Sequence, residues 1–409
     1  MKITDIQCIH VQIPKVSTNI IGGSVSYEGN PYRDEEPEHM NQFVGSVPHF
    51  GHSCSGIVKV YTDEGIVGIG EAATETTRCE IDRIRDNLIG CDVYDITYNS
   101  NYTMQGRGNT LRVFTKHIRL PRTKEQSAVE FALWDIIGKK AGLPVYKLLG
   151  GKVREKAPVT LFLGERPIDD CIADIDKAMK NGIMTVKLKV GCNDKRDVDL
   201  IREIRRQFGY DLAIRIDPNA AWTVPESIRI LKRMEPFHLQ YAEGFLKANE
   251  KYSFRKVREA TGVPVCIKNN MIKQKNLKKD FLVFHKCNNG CDLIRMKAFD
   301  VLSVDPSRTG GLLGFQKLCA VCEGAGLQVV THRASTSVSQ ATWLTGICIS
   351  PASDLAQDIV PVGQPSGPLY DAANETLFME NGYMKPWDAP GWGLTLNEEV
   401  ISKYTCAMK

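Results

Sequence analysis

A parallel α/β barrel is the fold that most of this chain predicts, and two recurring signals predict it. From about residue 156 short apolar runs recur, beginning near Val159, Met184, Leu212, Leu239, Val263, Val301 and Leu327. Helical segments lie between most of them, over 168–181, 195–208, 225–235, 249–260, 311–325 and 335–349. Strand and helix in alternation imply a parallel sheet with helices outside it. At least seven such units of roughly 30 residues each favour a closed, TIM-like barrel over an open sheet.

The chain before the barrel follows another pattern. Residues 1–14 and 54–72 alternate apolar and polar side chains, as half-buried strands do, and Asp63-Glu-Gly65 marks a hairpin turn. Between them a polar stretch near 17–50, rich in Gly, Pro and charge, is long enough to be a substrate-covering loop. Residues 77–120 read as mainly helical, and 123–141 as a clear helix with Thr123 and Gln126 spaced as a capping box. The tail around Asp388–Asn397 is irregular and rich in Gly and Pro.

Composition narrows the function classes. The 409 residues are 43% hydrophobic and 24% charged, with a formal charge of +4, which leaves no footprint for nucleic acid or an anionic membrane. No apolar run approaches the ~20 residues of a membrane helix, and the N-terminus reads as a strand rather than a signal peptide. The thirteen cysteines are scattered, many in apolar runs (Cys8, Cys266, Cys319, Cys322, Cys348), as buried reduced thiols of a cytoplasmic protein are. Cys287 and Cys291 form a close pair and lack a second Cys/His pair at zinc spacing.

The strand ends carry the chemistry. In a barrel of this kind, active-site residues sit at the C-terminal ends of the strands. Lys187 and Lys189 alternate in a strand and so project to one face, where two crowded ammonium groups repel and one pKa falls towards that of a useful base. An edge strand with solvated lysines is the bland alternative. The following strands end in Asp217 with Asn219, in Glu243, in Lys268-Asn269-Asn270, in Asp305 and in His332. Each alone reads as a helix cap or a structural histidine. Six consecutive strands ending in polar groups read as one site, with hard oxygen donors suited to Mg²⁺.

These motifs resemble those of the enolase superfamily, in its mandelate racemase and muconate lactonizing subgroup. The resemblance runs through Gly65-Ile-Val-Gly-Ile-Gly-Glu71, Ser127–Lys139, Leu143–Gly151, Lys187-x-Lys189, Asp217-Pro-Asn219, Asp305-Pro-Ser-Arg308, Thr331-His332 and Pro390-Gly-Trp-Gly393. It implies a (β/α)7β TIM-like barrel over 126–385, an α+β capping domain over 1–125, and a tail over 386–409 that returns to the cap. It implies one Mg²⁺ per active site, held by Asp217, Glu243 and Asn270, with Asn269 as the alternate third ligand. Lys187, Lys189, Asp305 and His332 are then catalytic. Asn219, Lys268, Arg308, His49, His52 and Tyr27 are candidate substrate contacts. A homo-oligomer is also implied.

Two positions depart from the family pattern. Gly244-Phe245 follows Glu243 where Gln-Pro or Asp-Pro is usual, and the third-ligand strand ends in amides, as in the glucarate dehydratases. The segment 272–300 is also long for a connection between strands five and six. The chemistry implied is removal of a proton α to a carboxylate, with Lys189 on one face and His332, oriented by Asp305, on the other. Polar residues in the 17–50 stretch favour dehydration of an acid sugar to a 2-keto-3-deoxy acid. Racemisation or epimerisation of a small α-substituted acid is the alternative, and a non-catalytic barrel kept as a binding protein is the reading from another class. Asp354, Gln357 or Asp358 supplies a further acid, without a choice among them.

Overall fold

The computed structural model describes residues 1–14, 52–73, 78–95, 124–165, 167–268, 288–332, 336–359, 372–375 and 379–405. Tyr27, His49, Thr123, Asn269, Asn270 and Cys287 lie outside them, as do the whole of the 17–50 stretch and of 96–123.

The N-terminal unit is a three-stranded antiparallel sheet in the order β1 (Ile3–Pro14), β2 (His52–Thr62), β3 (Val67–Ala73). His52 opens β2 and pairs with Pro14. Helices α1 (Arg78–Leu88) and α2 (Lys124–Ala141) cover one face. Alternation in the strands turns Ile6, Val58, Val60 and Ala72 towards Ile81, Ile84, Ala128, Ala132 and Ile136 of the helices, forming one apolar cluster. Gly68 and Gly70 permit this contact: a Cβ at Gly68 would lie 2.1 Å from the Ala132 carbonyl oxygen, and one at Gly70 would lie 1.9 Å from that of Ala128.

The barrel sheet has seven parallel strands in chain order: β4 (Leu161–Leu163), β5 (Thr185–Lys189), β6 (Ala213–Asp217), β7 (Tyr241–Glu243), β8 (Val265–Lys268), β9 (Val301–Val304) and β10 (Gln328–Thr331). The intervening helices are α3 (Ile168–Lys180), α4 (Asp194–Phe208), α5 (Val224–Met234), α6 (Phe254–Ala260), α7 (Asn288–Arg295) and α8 (Leu312–Gly324), and α9 (Ser337–Cys348) follows β10. Local signals start several of them. Asn193 caps α4, and Thr223 with Glu226 closes a capping box on α5.

The curled sheet is completed by an irregular segment in the eighth position. Val329 N donates to Ala352 O at 2.7 Å on the β10 side, and Gln357 N to Pro158 O at 2.7 Å on the β4 side. The Gln357 side chain accepts from Thr331 N at 2.8 Å. Inside, Tyr241, Cys266, Val301 and Val330 form an apolar layer beneath the polar strand ends.

Buried carboxylates tie the layers together. Asp135 on α2 accepts from Ile69 N at 2.9 Å, Trp392 N at 3.0 Å and Lys139 Nζ at 2.6 Å. It thereby joins β3, the barrel's opening helix and the C-terminal segment. Glu130 on α2 accepts from Leu312 N and Leu313 N at 2.8 and 3.0 Å, in the first turn of α8, and burial pushes its carboxyl up to about 7. Glu71 on β3 accepts from Ser339 N at 2.8 Å in the first turn of α9. No helix of the described residues is long and apolar enough to cross a membrane.

The contact between β3 and α2 has no room for a methyl group. Gly70→Ala should lower the unfolding free energy by about 1–3 kcal/mol, the usual cost of overpacking, measured by urea denaturation.

Candidate active site

The register of the parallel strands sets the height of each polar side chain. Lys187 pairs with Arg215 and Lys189 with Asp217, and the sheet continues Arg215 to Tyr241, Glu243 to Cys266, and Lys268 to Ser303. Residues two apart share a face. Lys187 and Lys189, Arg215 and Asp217, Tyr241 and Glu243, and Cys266 and Lys268 therefore face the barrel interior in successive columns.

A buried ion network results. Lys187 Nζ donates to Glu243 Oε2 at 2.5 Å and to Asp358 Oδ2 at 2.6 Å. Lys189 Nζ donates to Asp217 Oδ2 at 2.8 Å. Lys268 Nζ donates to Asp217 Oδ2 and Oδ1 at 2.9 and 3.2 Å and to Asn219 Oδ1 at 2.9 Å, and it stands 3.5 Å from Glu243 Oε1. Arg215, lower in the barrel, donates to Thr160 Oγ1 at 3.1 Å and Ala356 O at 2.8 Å and approaches Asp358 Oδ1 at 3.4 Å. Its guanidinium lies over the Tyr241 ring, 4.7 Å from the centroid.

Burial and neighbours set the charge states. Burial works against the charge on Lys187, but Asp358 and Glu243 outweigh it and hold the ammonium well above the usual lysine range. Lys268 is raised in the same way, with Asp217 and Glu243 outweighing burial. Lys189 moves the other way. Burial, with Lys268 and Lys187 nearby, outweighs Asp217 and brings it below the usual range. Burial opposes ionisation of Asp217, yet Lys189, Lys268 and Lys187 hold its carboxyl far below the usual carboxylate range.

On the far side of the sheet, His332 follows β10 with its backbone N–H donating to Val304 O at 2.5 Å. Burial, then Lys268 and Lys187, lowers its imidazole to about 3, so the ring is neutral near neutral pH. Asp305 lies close enough to pull that value upwards, but its carboxylate oxygens are engaged nearer home. Oδ1 accepts from Ser307 N and Oγ at 3.0 and 2.6 Å, and Oδ2 from Arg308 Nε at 2.9 Å. Arg308 is thus tied to Asp305.

The turn after β6 is strained. Asn219 and Ala220 both have left-handed φ, +50° and +67°. Ala220 N donates to Gly244 O at 2.7 Å and Trp222 N to Phe245 O at 3.2 Å, so the turns after Asp217 and Glu243 hold each other.

Two residues of this network escape a strand-end reading. Arg215 sits two before Asp217, the same spacing that singles out Lys187 and Lys189, and that spacing is the signal that finds it. Among the three acids or amides offered after the seventh unit, Asp358 enters the network. Gln357 bridges the sheet edge, and Asp354 pairs with Arg154 at 2.6 Å. Nothing local distinguishes them. Among the described residues, no three His, Cys, Asp or Glu side chains come together as a metal site. Both amide candidates for a third ligand, Asn269 and Asn270, lie outside those residues.

Comparison with known proteins shows what this chain is similar to. The profile described as "Enolase C-terminal domain-like" matches residues 170–400, and "Mandelate racemase / muconate lactonizing enzyme, N-terminal domain" matches residues 35–150. The L-Ala-D/L-Glu epimerase of Clostridium acetobutylicum is 28% identical over 284 residues, covering 66% of this chain and 72% of the relative. The D-galactonate dehydratase of Pectobacterium atrosepticum is 25% identical over 367 residues, covering 84% and 89%. The crystal structure of N-succinyl Arg/Lys racemase from Bacillus cereus superposes with a TM-score of 0.77 at 23% identity, covering all of this chain (100%) and 99% of that one.

Asp358 is 1% exposed and faces both Lys187 and Arg215. Asp358→Ala should cost about 3–5 kcal/mol, because Arg215 loses the carboxylate it faces and Lys187 one of its two. Chemical denaturation of the variant against wild type measures it.

Proposed function

The chain belongs to the mandelate racemase and muconate lactonizing subgroup of the enolase superfamily, and on that premise we propose that it removes the proton α to a carboxylate and dehydrates an acid sugar to a 2-keto-3-deoxy acid. One observation carries the reading. Three ammonium groups, on Lys187, Lys189 and Lys268, converge at a barrel mouth that also holds a neutral imidazole, His332. Cations stabilise a bound carboxylate and the enediolate derived from it, and the same bound carboxylate offsets the lysines that depress the His332 imidazole, restoring a base able to accept a proton.

The steps follow from these residues. His332 takes the α proton as the C–H bond breaks, and the electron pair moves into the carboxylate to form an enediolate. The lysine ammonium groups neutralise the added charge. The pair then returns to expel a β-hydroxyl, which takes the proton from His332 and leaves as water. The enol that remains tautomerises to the 2-keto acid. One imidazole serves both transfers when the α proton and the hydroxyl share a face. The galactonate dehydratase relative supports this outcome.

Racemisation or epimerisation is the second reading, and the position of Lys189 favours it. Lys189 ends β5, across β6, β7, β8 and β9 from His332, and its ammonium is destabilised relative to an ordinary lysine. A proton delivered from that side to the enediolate inverts the α carbon. The epimerase and racemase relatives support this outcome.

Magnesium is the family expectation for the charge-stabilising role, with Asp217, Glu243 and an amide of the Asn269–Asn270 pair as ligands. The described residues do not fit it. They offer two carboxylates with an ammonium between them, and no step above runs through a metal.

Incubation with aldonic and aldaric acids in D₂O separates the readings. Dehydration yields a 2-keto product, lost in His332→Asn and retained at reduced rate in Lys189→Ala. Deuterium at an inverted α carbon without keto acid overturns dehydration in favour of epimerisation, which needs both residues. If no acid exchanges its α proton, both readings fall and a non-catalytic binding barrel remains.

A further inference from the structure

We propose that the resident cation of this barrel is the Lys268 ammonium, and that the folded chain excludes a divalent metal from the Asp217–Glu243 pair. Lys268 Nζ lies between the two carboxylates, 2.9 Å from Asp217 Oδ2 and 3.5 Å from Glu243 Oε1, with Asn219 Oδ1 as a further acceptor at 2.9 Å. Mg²⁺ binds oxygens at about 2.0–2.1 Å in near-octahedral geometry. It cannot share the Asp217 oxygens with an ammonium seated on both of them.

Charge balance gives the same answer. The three carboxylates of Asp217, Glu243 and Asp358 already face four cations, the ammonium groups of Lys187, Lys189 and Lys268 and the guanidinium of Arg215. A divalent ion added to this set leaves a buried excess of positive charge, which is costly in a low-dielectric interior.

The backbone makes room for the lysine. Gly244, directly after Glu243, has φ +53°, and a Cβ there would come within 3.2 Å of Lys268 Cε. A glycine at that turn gives both the left-handed backbone and the space for the lysine stem. Strand β8 fixes the other end, since Lys268 pairs with Ser303 of β9. Its side chain is only 15% exposed. It is therefore held in the site rather than free to swing into solvent.

The catalytic consequence rests on the α-proton reading above; the metal preference does not. A single positive charge stabilises an enediolate less than a divalent ion does, and here the lysines share that task. The test uses the full-length chain after chelation, titrated with Mn²⁺ and followed by the electron paramagnetic resonance of the free ion. Wild type should leave the free-ion signal unchanged at millimolar Mn²⁺. Lys268→Asp, which exchanges the ammonium for an oxygen donor, should bind Mn²⁺ about tenfold or more tightly than wild type. Lys268→Met, which removes only the charge, should also bind more tightly and serves if the aspartate variant does not fold. One Mn²⁺ bound per wild-type chain overturns the proposal, and so do folded variants that bind no better than wild type. These outcomes are read without substrate, so a failure to find α-proton exchange overturns the proposed activity alone.

Discussion

Removing six charged groups from water at the top of one barrel is the constraint on which this structure turns. Lys187, Lys189 and Lys268 face Asp217, Glu243 and Asp358, and Arg215 supports Asp358 from below. Each buried ion alone would cost several kcal/mol to desolvate. The set is tolerable only because every charge meets an opposite one at hydrogen-bond distance. That requirement fixes the strand register, since a slip of one residue would turn these side chains outwards. The network is thus less a source of stability than a demand that the barrel be built to close tolerance.

The rest of the fold meets that demand. The apolar layer of Tyr241, Cys266, Val301 and Val330 fills the barrel beneath the charges. The Ala352–Gln357 segment bridges β10 and β4 and brings Asp358 to Lys187. Asp135, Glu130 and Glu71 pin the N-terminal sheet and its helix to the C-terminal segment and to the starts of α8 and α9. Glycines in β3 let α2 approach closely enough for the Asp135–Ile69 bond to form.

Much of this was legible in the chain. The alternation of strand and helix reveals the parallel sheet, because each apolar run is short and bounded by helical spacing. Lys187 and Lys189 stand out because two like charges on one face of an apolar strand have no structural use, and Asp217, Glu243, Asp305 and His332 because they close successive strands. Arg215 was equally legible by its spacing from Asp217. The partners of these residues were not. Asp305 reads as the orienting group of His332, yet its oxygens are engaged by Ser307 and Arg308. The Asn269–Asn270 pair lies outside the described residues.

The sequence by itself determined the fold class, the group to which the chain belongs and the end of the barrel at which the charged side chains gather. These follow from periodicity and from residue type at strand ends, which are local properties. Only the tertiary structure decided what each charge faces. It chose Asp358 over its neighbours Asp354 and Gln357, and it turned Lys268 from a candidate substrate contact into the ammonium between two carboxylates. The physical reason is that charge pairing in a buried site depends on distances of a few ångströms between strands far apart in the chain. Those distances exist only once the sheet has curled and its register is set.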